Sequence, residues 1–275
     1  MIPLVMGVLN VTPDSFSDGG RFASFDDAVA RGIEMVAEGA DIVDIGGEST
    51  RPGARPTTVD VELRRVLPVI EALAGRVRIS VDTRHEDVAR AAVAAGASMI
   101  NDISASLWPV AAETGAAWIA MHMAGTPADM QRDPSYDDVV GEVRAFLVER
   151  AATATGNGVS EVWIDPGFGF GKSVEHNVAL LGSIDELVAT GFPVVVGTSR
   201  KSTLGVLTAR SDARAGYGTP GGIAPVPDRF AASIATATWA MTQGVKMVRV
   251  HDVRAHVHAA RVVAGHITPA SGRAA

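Results

Sequence analysis

Acids, amides and cations recur in this chain just past short apolar runs: Asn10, Asp44, Asp82, Asn101, His122, Asp165, Ser199-Arg200-Lys201 and Arg249-Val250-His251. Any one of them could be a turn former, because short polar side chains bond to nearby backbone where a strand stops. The whole set is too large to assign to caps and implies one shared pocket. Asp82, Asn101 and Asp165 would bring carboxylate and amide groups to its floor, with Lys201 beside them. A carboxylate that accepts two hydrogen bonds suits a flat heterocycle with adjacent amino and ring N–H donors, and an amide and an ammonium can serve its remaining groups. The competing reading is structural, with the acids held in internal salt bridges to Lys201 or Arg200.

The cations suggest a second half of the pocket. Arg249 and His251 flank a single residue, so both side chains project to the same side of a strand. Arg51 lies in the segment Gly46-Gly47-Glu48-Ser49-Thr50-Arg51-Pro52-Gly53, next to the hydroxyl of Thr50. Together these groups could cradle a pyrophosphate. Asn10 offers a carbonyl oxygen to Mg²⁺, an ion that takes oxygen donors and shares them with phosphate and water. His122 reads equally well as a pocket wall or a catalyst, while His85, His256 and His258 carry no assigned role. Glu175-His176-Asn177 reads as a helix opening that helps to cap itself. No Ser/His/Asp nucleophile set or zinc-like histidine spacing is evident.

These residues need elements to position them. Short Val- and Ile-rich runs at Leu4–Leu9, Ile42–Ile45, Val77–Val81, Ser98–Ile100, Ala117–Met121, Val162–Ile164, Val194–Val196 and Met247–Val250 are continuous rather than alternating, as buried parallel strands are. Helical stripes lie between them: Val29, Ile33 and Val36; Leu63, Val66, Leu67 and Ile70; Val139, Val143, Phe146 and Leu147; Phe230, Ile234, Ala237 and Met241. Gly39, Gly96, Gly115, Gly158, Gly191 and Gly244 each precede a strand, where a helix ends in a left-handed residue. The alternation predicts a closed parallel (β/α)8 barrel, with an open doubly wound sheet as the alternative. In a barrel, the C-terminal strand ends converge on one pocket. One domain is expected over residues 1–267, with a flexible tail at 268–275; Asn10–Phe25 and Ala209–Asp228 read as irregular stretches.

Composition narrows the function classes. The chain has 275 residues, 47% hydrophobic and 20% charged, enough to bury a large core. A net charge of -7 disfavours nucleic-acid partners, which need phosphate neutralisation. With no cysteine, disulfides and thiolate chemistry are excluded. No basic apolar leader or membrane-length run is visible, so the expectation is a soluble, cytoplasmic protein without a membrane partner.

The motifs also resemble those of a known family, the dihydropteroate synthases. Asn10-Val11-Thr12-Pro13-Asp14-Ser15-Phe16-Ser17-Asp18-Gly19-Gly20 looks like its first signature loop, and Asp44–Gly53 its second. Ser80-Val81-Asp82-Thr83, Asn101-Asp102-Ile103, Asp165–Lys172, Ser199-Arg200-Lys201-Ser202 and Arg249–Val253 follow in family order, and the likeness spans about residues 4 to 265. The resemblance implies condensation of hydroxymethyl-dihydropterin pyrophosphate with para-aminobenzoate, with Mg²⁺ on Asn10. It implies that Asp82, Asn101, Asp165 and Lys201 hold the pterin, a heterocycle with the donor–acceptor edge described above. Arg249 and His251 would hold pyrophosphate, and Thr50, Phe170 and Ser202 would also line the substrates. Asp82, Lys201, Arg51 and Asp18 are the implied catalytic set; Thr50 and Arg51, with Phe16 and Asp18, would lie on loops that close over the reaction. A homodimer is implied by analogy.

One departure stands out. The family usually has Phe after Lys-Ser, whereas this chain has Lys201-Ser202-Thr203-Leu204-Gly205. The expected result is weaker para-aminobenzoate binding and altered sulfonamide sensitivity. Two other functions share this kind of barrel: a methyltetrahydrofolate–corrinoid methyltransferase domain, and a pterin-binding paralogue without turnover. The first has no need of an anion cradle.

Overall fold

The structure, a computed structural model, describes residues 2–12, 23–49, 56–127, 129–217 and 221–267. It is a parallel barrel. Its strands are β1 (Leu4–Asn10), β2 (Ile42–Gly46), β3 (Arg78–Asp82), β4 (Met99–Asp102), β5 (Ala117–Met121), β6 (Val162–Asp165), β7 (Val195–Val196) and β8 (Met247–Val250). Between them run α1 (Ala23–Glu38), α2 (Val59–Leu73), α3 (Glu86–Ala94), α4 (Trp108–Thr114), α5 (Val139–Gly156), α6 (Val174–Gly182), α7 (Ile184–Val188), α8 (Ser202–Arg214) and α9 (Phe230–Thr242), and α10 (Val253–Ile267) follows the last strand. The strand order is β6-β5-β4-β3-β2-β1-β8-β7. A bridge between Ile164 and Val194 closes β6 on β7, with the Ile164 N–H donating to the Pro193 carbonyl at 3.0 Å. The open-sheet alternative is thereby set aside.

Two apolar layers build the molecule. Met6, Ile42, Met99, Ile119, Trp163, Val195 and Met247 fill the barrel interior. A larger layer between strands and helices includes Val43, Ile45, Ile70, Leu73, Ile100, Trp118, Leu147 and Val248. Side chains two residues apart on a strand share a face. Moving two residues on from the interior residues therefore reaches Asp44, Asn101, Met121, Asp165, Gly197 and Arg249. The polar set thus sits directly on top of the packed interior.

The glycines predicted before strands all adopt left-handed backbone, with φ from 72° at Gly115 to 120° at Gly96. Some helical faces differ from expectation. Ile33 is 44% exposed and Phe230 48% exposed. The buried positions of α1 include Ala28 and Met35, and Gly32 lies so close that a Cβ there would fall 2.4 Å from Leu73 Cδ1. In α9 the buried residues are Ser233, Ala237, Ala240 and Met241. Both helices pack closely through small side chains, which a stripe of large apolar residues does not reveal. The predicted irregular stretch also shrinks, because residues 209–214 complete α8. Ala and Arg favour helix even without an apolar face.

Candidate active site

At the C-terminal mouth of the barrel, Arg249 of β8 reaches across to two acids. Its Nε donates to Asp44 Oδ2 at 2.6 Å and its Nη2 to Asp82 Oδ2 at 2.6 Å. Asn101 Nδ2 donates to the same Asp44 oxygen at 3.0 Å. Asp44 is fully buried, and among the described residues its Oδ1 has no hydrogen-bond partner, nor has the buried Ser80 Oγ. These two residues stand opposite one another in the β2–β3 register. A buried carboxylate survives only when paired. Arg249 supplies that pairing, and the two acids hold its pKa above the ordinary arginine value despite burial. Burial, reinforced by Asp44 and opposed by Arg249, pushes the Asp82 carboxyl up to about 7.

Asp165 ends β6 and accepts from the Gly167 N–H at 2.7 Å. Burial raises its pKa against the pull of Lys201. Lys201 precedes α8; its Nζ donates to the Phe168 carbonyl and stands 4.4 Å from the centroid of the Phe170 ring, within cation–π range. Burial draws this ammonium down to about 8, with Asp165 opposing. Glycine spacing in Gly167-Phe168-Gly169-Phe170-Gly171 makes the approach possible. A Cβ on Gly167 would fall 1.9 Å from the His122 carbonyl oxygen, one on Gly171 2.4 Å from that of Ala124, and one on Gly169 3.3 Å from Lys201 Cδ.

His251 follows β8. Its Nδ1 lies 3.1 Å from Ser199 Oγ, and its own N–H donates to that oxygen at 3.2 Å. Burial, with Arg249 and Arg200 nearby, lowers its pKa to about 3, so it is neutral at ordinary pH. Arg200 has a φ of 60° and is tied to Asp252 by Nη2–Oδ1 at 2.5 Å. Asn10 Oδ1 and Asp82 Oδ2 would each lie 3.6 Å from a Cβ at Gly46. The bare glycine leaves room beside both oxygens; Asp82 Oδ2 is already taken by Arg249, and the Asn10 carbonyl oxygen is a donor of the type that Mg²⁺ takes.

Asn10, Asp82, Asn101, Asp165, Lys201, Arg249 and His251 therefore gather at one end of the barrel, with Phe170 against Lys201 and Ser202 exposed at the first turn of α8. Asp18, Thr50 and Arg51 lie outside the described residues, as do Phe16 and the tail at 268–275. Arg249 does not stand in a separate cationic half of the pocket: two residues beyond interior Met247, it bonds to Asp44 and Asp82 within the acid cluster. The ion pairs also differ from those of the competing structural reading: Asp44 and Asp82 pair with Arg249, and Arg200 pairs with Asp252. His122 is buried and neutral, its pKa lowered to about 3 by burial and by Lys172. The capping reading holds, since Ser173 Oγ accepts from the His176 N–H and His176 Nδ1 accepts from the Ser173 N–H.

Sequence reasoning noted Asp44, and named Lys172 only as the end of the motif Asp165–Lys172, but gave neither a role. Spacing contained the first signal, because Asp44 is two residues past interior Ile42. Among the described residues, a metal-like grouping of Glu48, Glu62 and His85 also occurs. Arg84 donates to both Glu48 oxygens at 2.8 and 3.1 Å, and His85 Nδ1 lies 2.6 Å from Glu62 Oε2, so protein partners already engage it.

A family model described as pterin binding enzyme matches residues 6–251. The chain belongs to the pterin-binding enzymes. This pterin-binding enzyme is 48% identical over 268 residues to the dihydropteroate synthase of Mycobacterium leprae, covering 94% of this chain and 92% of that protein. Among solved structures, Xanthomonas albilineans dihydropteroate synthase with 4-aminobenzoic acid matches with TM-score 0.86 and 46% identity, over 97% of this chain and 94% of that one. The same organism's enzyme in complex with 7,8-dihydropteroate matches with TM-score 0.83 and 43% identity, over 97% and 95%. No helix among the described residues of the pterin-binding enzyme is long and apolar enough to cross a membrane.

Proposed function

We propose that this pterin-binding enzyme is a dihydropteroate synthase, a transferase of folate synthesis. It joins hydroxymethyl-dihydropterin pyrophosphate to para-aminobenzoate and releases pyrophosphate. The observation that carries the reading is 48% identity to such a synthase over 94% of the chain. The convergence of Asp82, Asn101, Asp165, Lys201 and Arg249 at one barrel mouth supports it.

The residues divide the work as follows. Asp165 and Asn101 bind the amino and ring N–H edge of the pterin, and Lys201 donates to its acceptors. Phe170 stacks near that ammonium, while Ser202 at the start of α8, with Thr50, contacts the second substrate. The bond from the exocyclic methylene to oxygen breaks, the electron pair leaves with pyrophosphate, and the amine nitrogen attacks the carbon and loses its proton. Arg249, and His251 as a neutral N–H donor, stabilise charge on the departing oxygens. Asp82 faces the positive carbon, Arg51 and Asp18 complete the catalytic set, and exclusion of water spares the cation from hydrolysis. Mg²⁺ on Asn10, when bound, would draw negative charge from pyrophosphate oxygens.

We place the enzyme in the cytoplasm, as a homodimer that is inhibited by sulfonamides. The exposed apolar side chains Ile223, Val226, Phe230 and Trp239 support the dimer. A coupled pyrophosphate assay tests the function. Release that depends on para-aminobenzoate is the expected result, and pterin binding without such release would remove the reading.

A further inference from the structure

The turn between β6 and α6 has no regular structure, yet the five carbonyls of residues 167–171 are all engaged. The Gly167 carbonyl accepts from Lys172 Nζ at 3.1 Å, that of Gly169 from Gln131 Nε2 at 2.6 Å, that of Phe170 from Lys172 Nζ at 3.0 Å and that of Gly171 from the Tyr136 hydroxyl at 2.8 Å. The remaining carbonyl, Phe168, accepts from Lys201. Lys172 therefore holds two of the five. Its ammonium also donates to the His122 carbonyl at 3.3 Å and lies 2.9 Å from His122 Nδ1. Lys172 is 3% exposed, and these hydrogen-bond partners are all neutral. Burying an ammonium without a paired carboxylate is costly, so such a residue is retained for what its geometry does.

We propose that Lys172 is a positioning residue for the pterin site, fastening the turn 167–171 to the end of β5 so that Phe168 and Phe170 hold Lys201 in place. The inference rests on the synthase reading. Lysine suits the task because one compact ammonium can donate in several directions. The turn is pressed so closely on residues 122 to 124 that Gly167 and Gly171 admit no side chain; the Phe170 N–H also donates to the Gly167 carbonyl at 3.1 Å, so what the ammonium adds is the link from this turn to residue 122. Two lysines thus grip opposite carbonyls of one turn, with Asp165 at its root.

A consequence for pH follows. The groups facing Lys172 are His122 after β5, Asp165 at the end of β6 and Lys201 before α8, with Tyr136 and His176 in the surrounding ring cluster. Burial, with Lys201 nearby, lowers Lys172 to about 7. Lys172 loses its charge below the range in which Lys201 titrates, so pterin affinity of the native protein should fall as pH rises through about 7, a step that a protein without the Lys172 ammonium lacks.

The test compares native protein with Lys172→Met, which keeps an apolar stem and loses the ammonium. Calorimetric titration with hydroxymethyl-dihydropterin pyrophosphate should show at least tenfold weaker binding, while KM for para-aminobenzoate changes less than twofold. The step in pterin affinity near pH 7 should be absent from the variant, which a merely looser fold would not cause. Binding within twofold of native, with an unmoved pH profile, would overturn the proposal. Should the variant fail to fold, the lysine Nζ resonances of native protein assigned by nitrogen-15 NMR decide the matter. A Lys172 signal that moves on adding the pterin pyrophosphate supports the role, and an indifferent one overturns it. Failure of native protein to bind the pterin at all would instead remove the synthase reading.

Discussion

Asp44 is the residue whose importance rests most on geometry. It accepts from both Arg249 and Asn101, so one buried oxygen sets the position of a cation and an amide at once. Asp44→Asn removes that charge while keeping the shape. Arg249 then loses one of its two carboxylates, and kcat/KM for the pterin pyrophosphate should fall about 100-fold, comparable to losing a charge-assisted contact worth about 3 kcal/mol. The pH profile gives the sign. Asp44 contributes to raising Asp82, and Arg249 opposes that rise. With Asp44 neutral and Arg249 left to Asp82, the Asp82 pKa falls below about 7 and the acidic limb of kcat/KM moves to lower pH. A limb that stayed in place or moved upward would show that Asp82 does not control it. Most of this site was legible in the sequence, because polar residues past apolar runs mark strand ends. The charge pairing was not, since it depends on which strands end up close together around the barrel, as β2 and β3 on one side of β1 and β8 on the other do here.

At the scale of the element, legibility followed side-chain size. The strands were readable almost residue by residue, because buried parallel strands are continuous runs of branched apolar residues. α1 and α9 were misread where Ala28, Gly32, Ser233 and Ala240 make the contact and Ile33 and Phe230 point outward. α8 poses a different problem, the Thr203 departure. Thr203 lines a small, open apolar cleft between α6 and α8, with Phe168, Val178, Leu181, Leu204, Leu207 and Lys201 also on its walls. A ring at this position would bury apolar surface now facing that space. At roughly 25 cal/mol per Å², a gain of about 1 kcal/mol is expected. Thr203→Phe should therefore raise Tm by a few degrees and lower KM for para-aminobenzoate. A lower Tm would mean that the cleft cannot admit the ring, and an unchanged KM would separate it from the second substrate.

On the scale of the whole molecule, the barrel is closed by its weakest seam. β1 and β2 are registered over five residue pairs from Met6–Ile42 to Asn10–Gly46, whereas β6 and β7 meet at the single bridge Ile164–Val194. The short β7 begins after Pro193, which has no N–H to give the ladder. Local opening should therefore begin there, since regions with few backbone bonds open at lower free energy than the rest. Hydrogen exchange should find the Ile164 amide opening at least tenfold more readily than amides bonded between β1 and β2. The groups proposed for the pterin pyrophosphate span the same seam, with Asp165 on β6 and Lys201 after β7 for the pterin and Arg249 on β8 for the pyrophosphate. A ligand that touches all three ties the edges together, and binding stabilises the closed form through its affinity. Added pterin pyrophosphate should slow exchange at Ile164 more than at Val43 or Ile45. Equal slowing would mean that the ligand stabilises the barrel only globally, and the link between closing the barrel and assembling its site would fail.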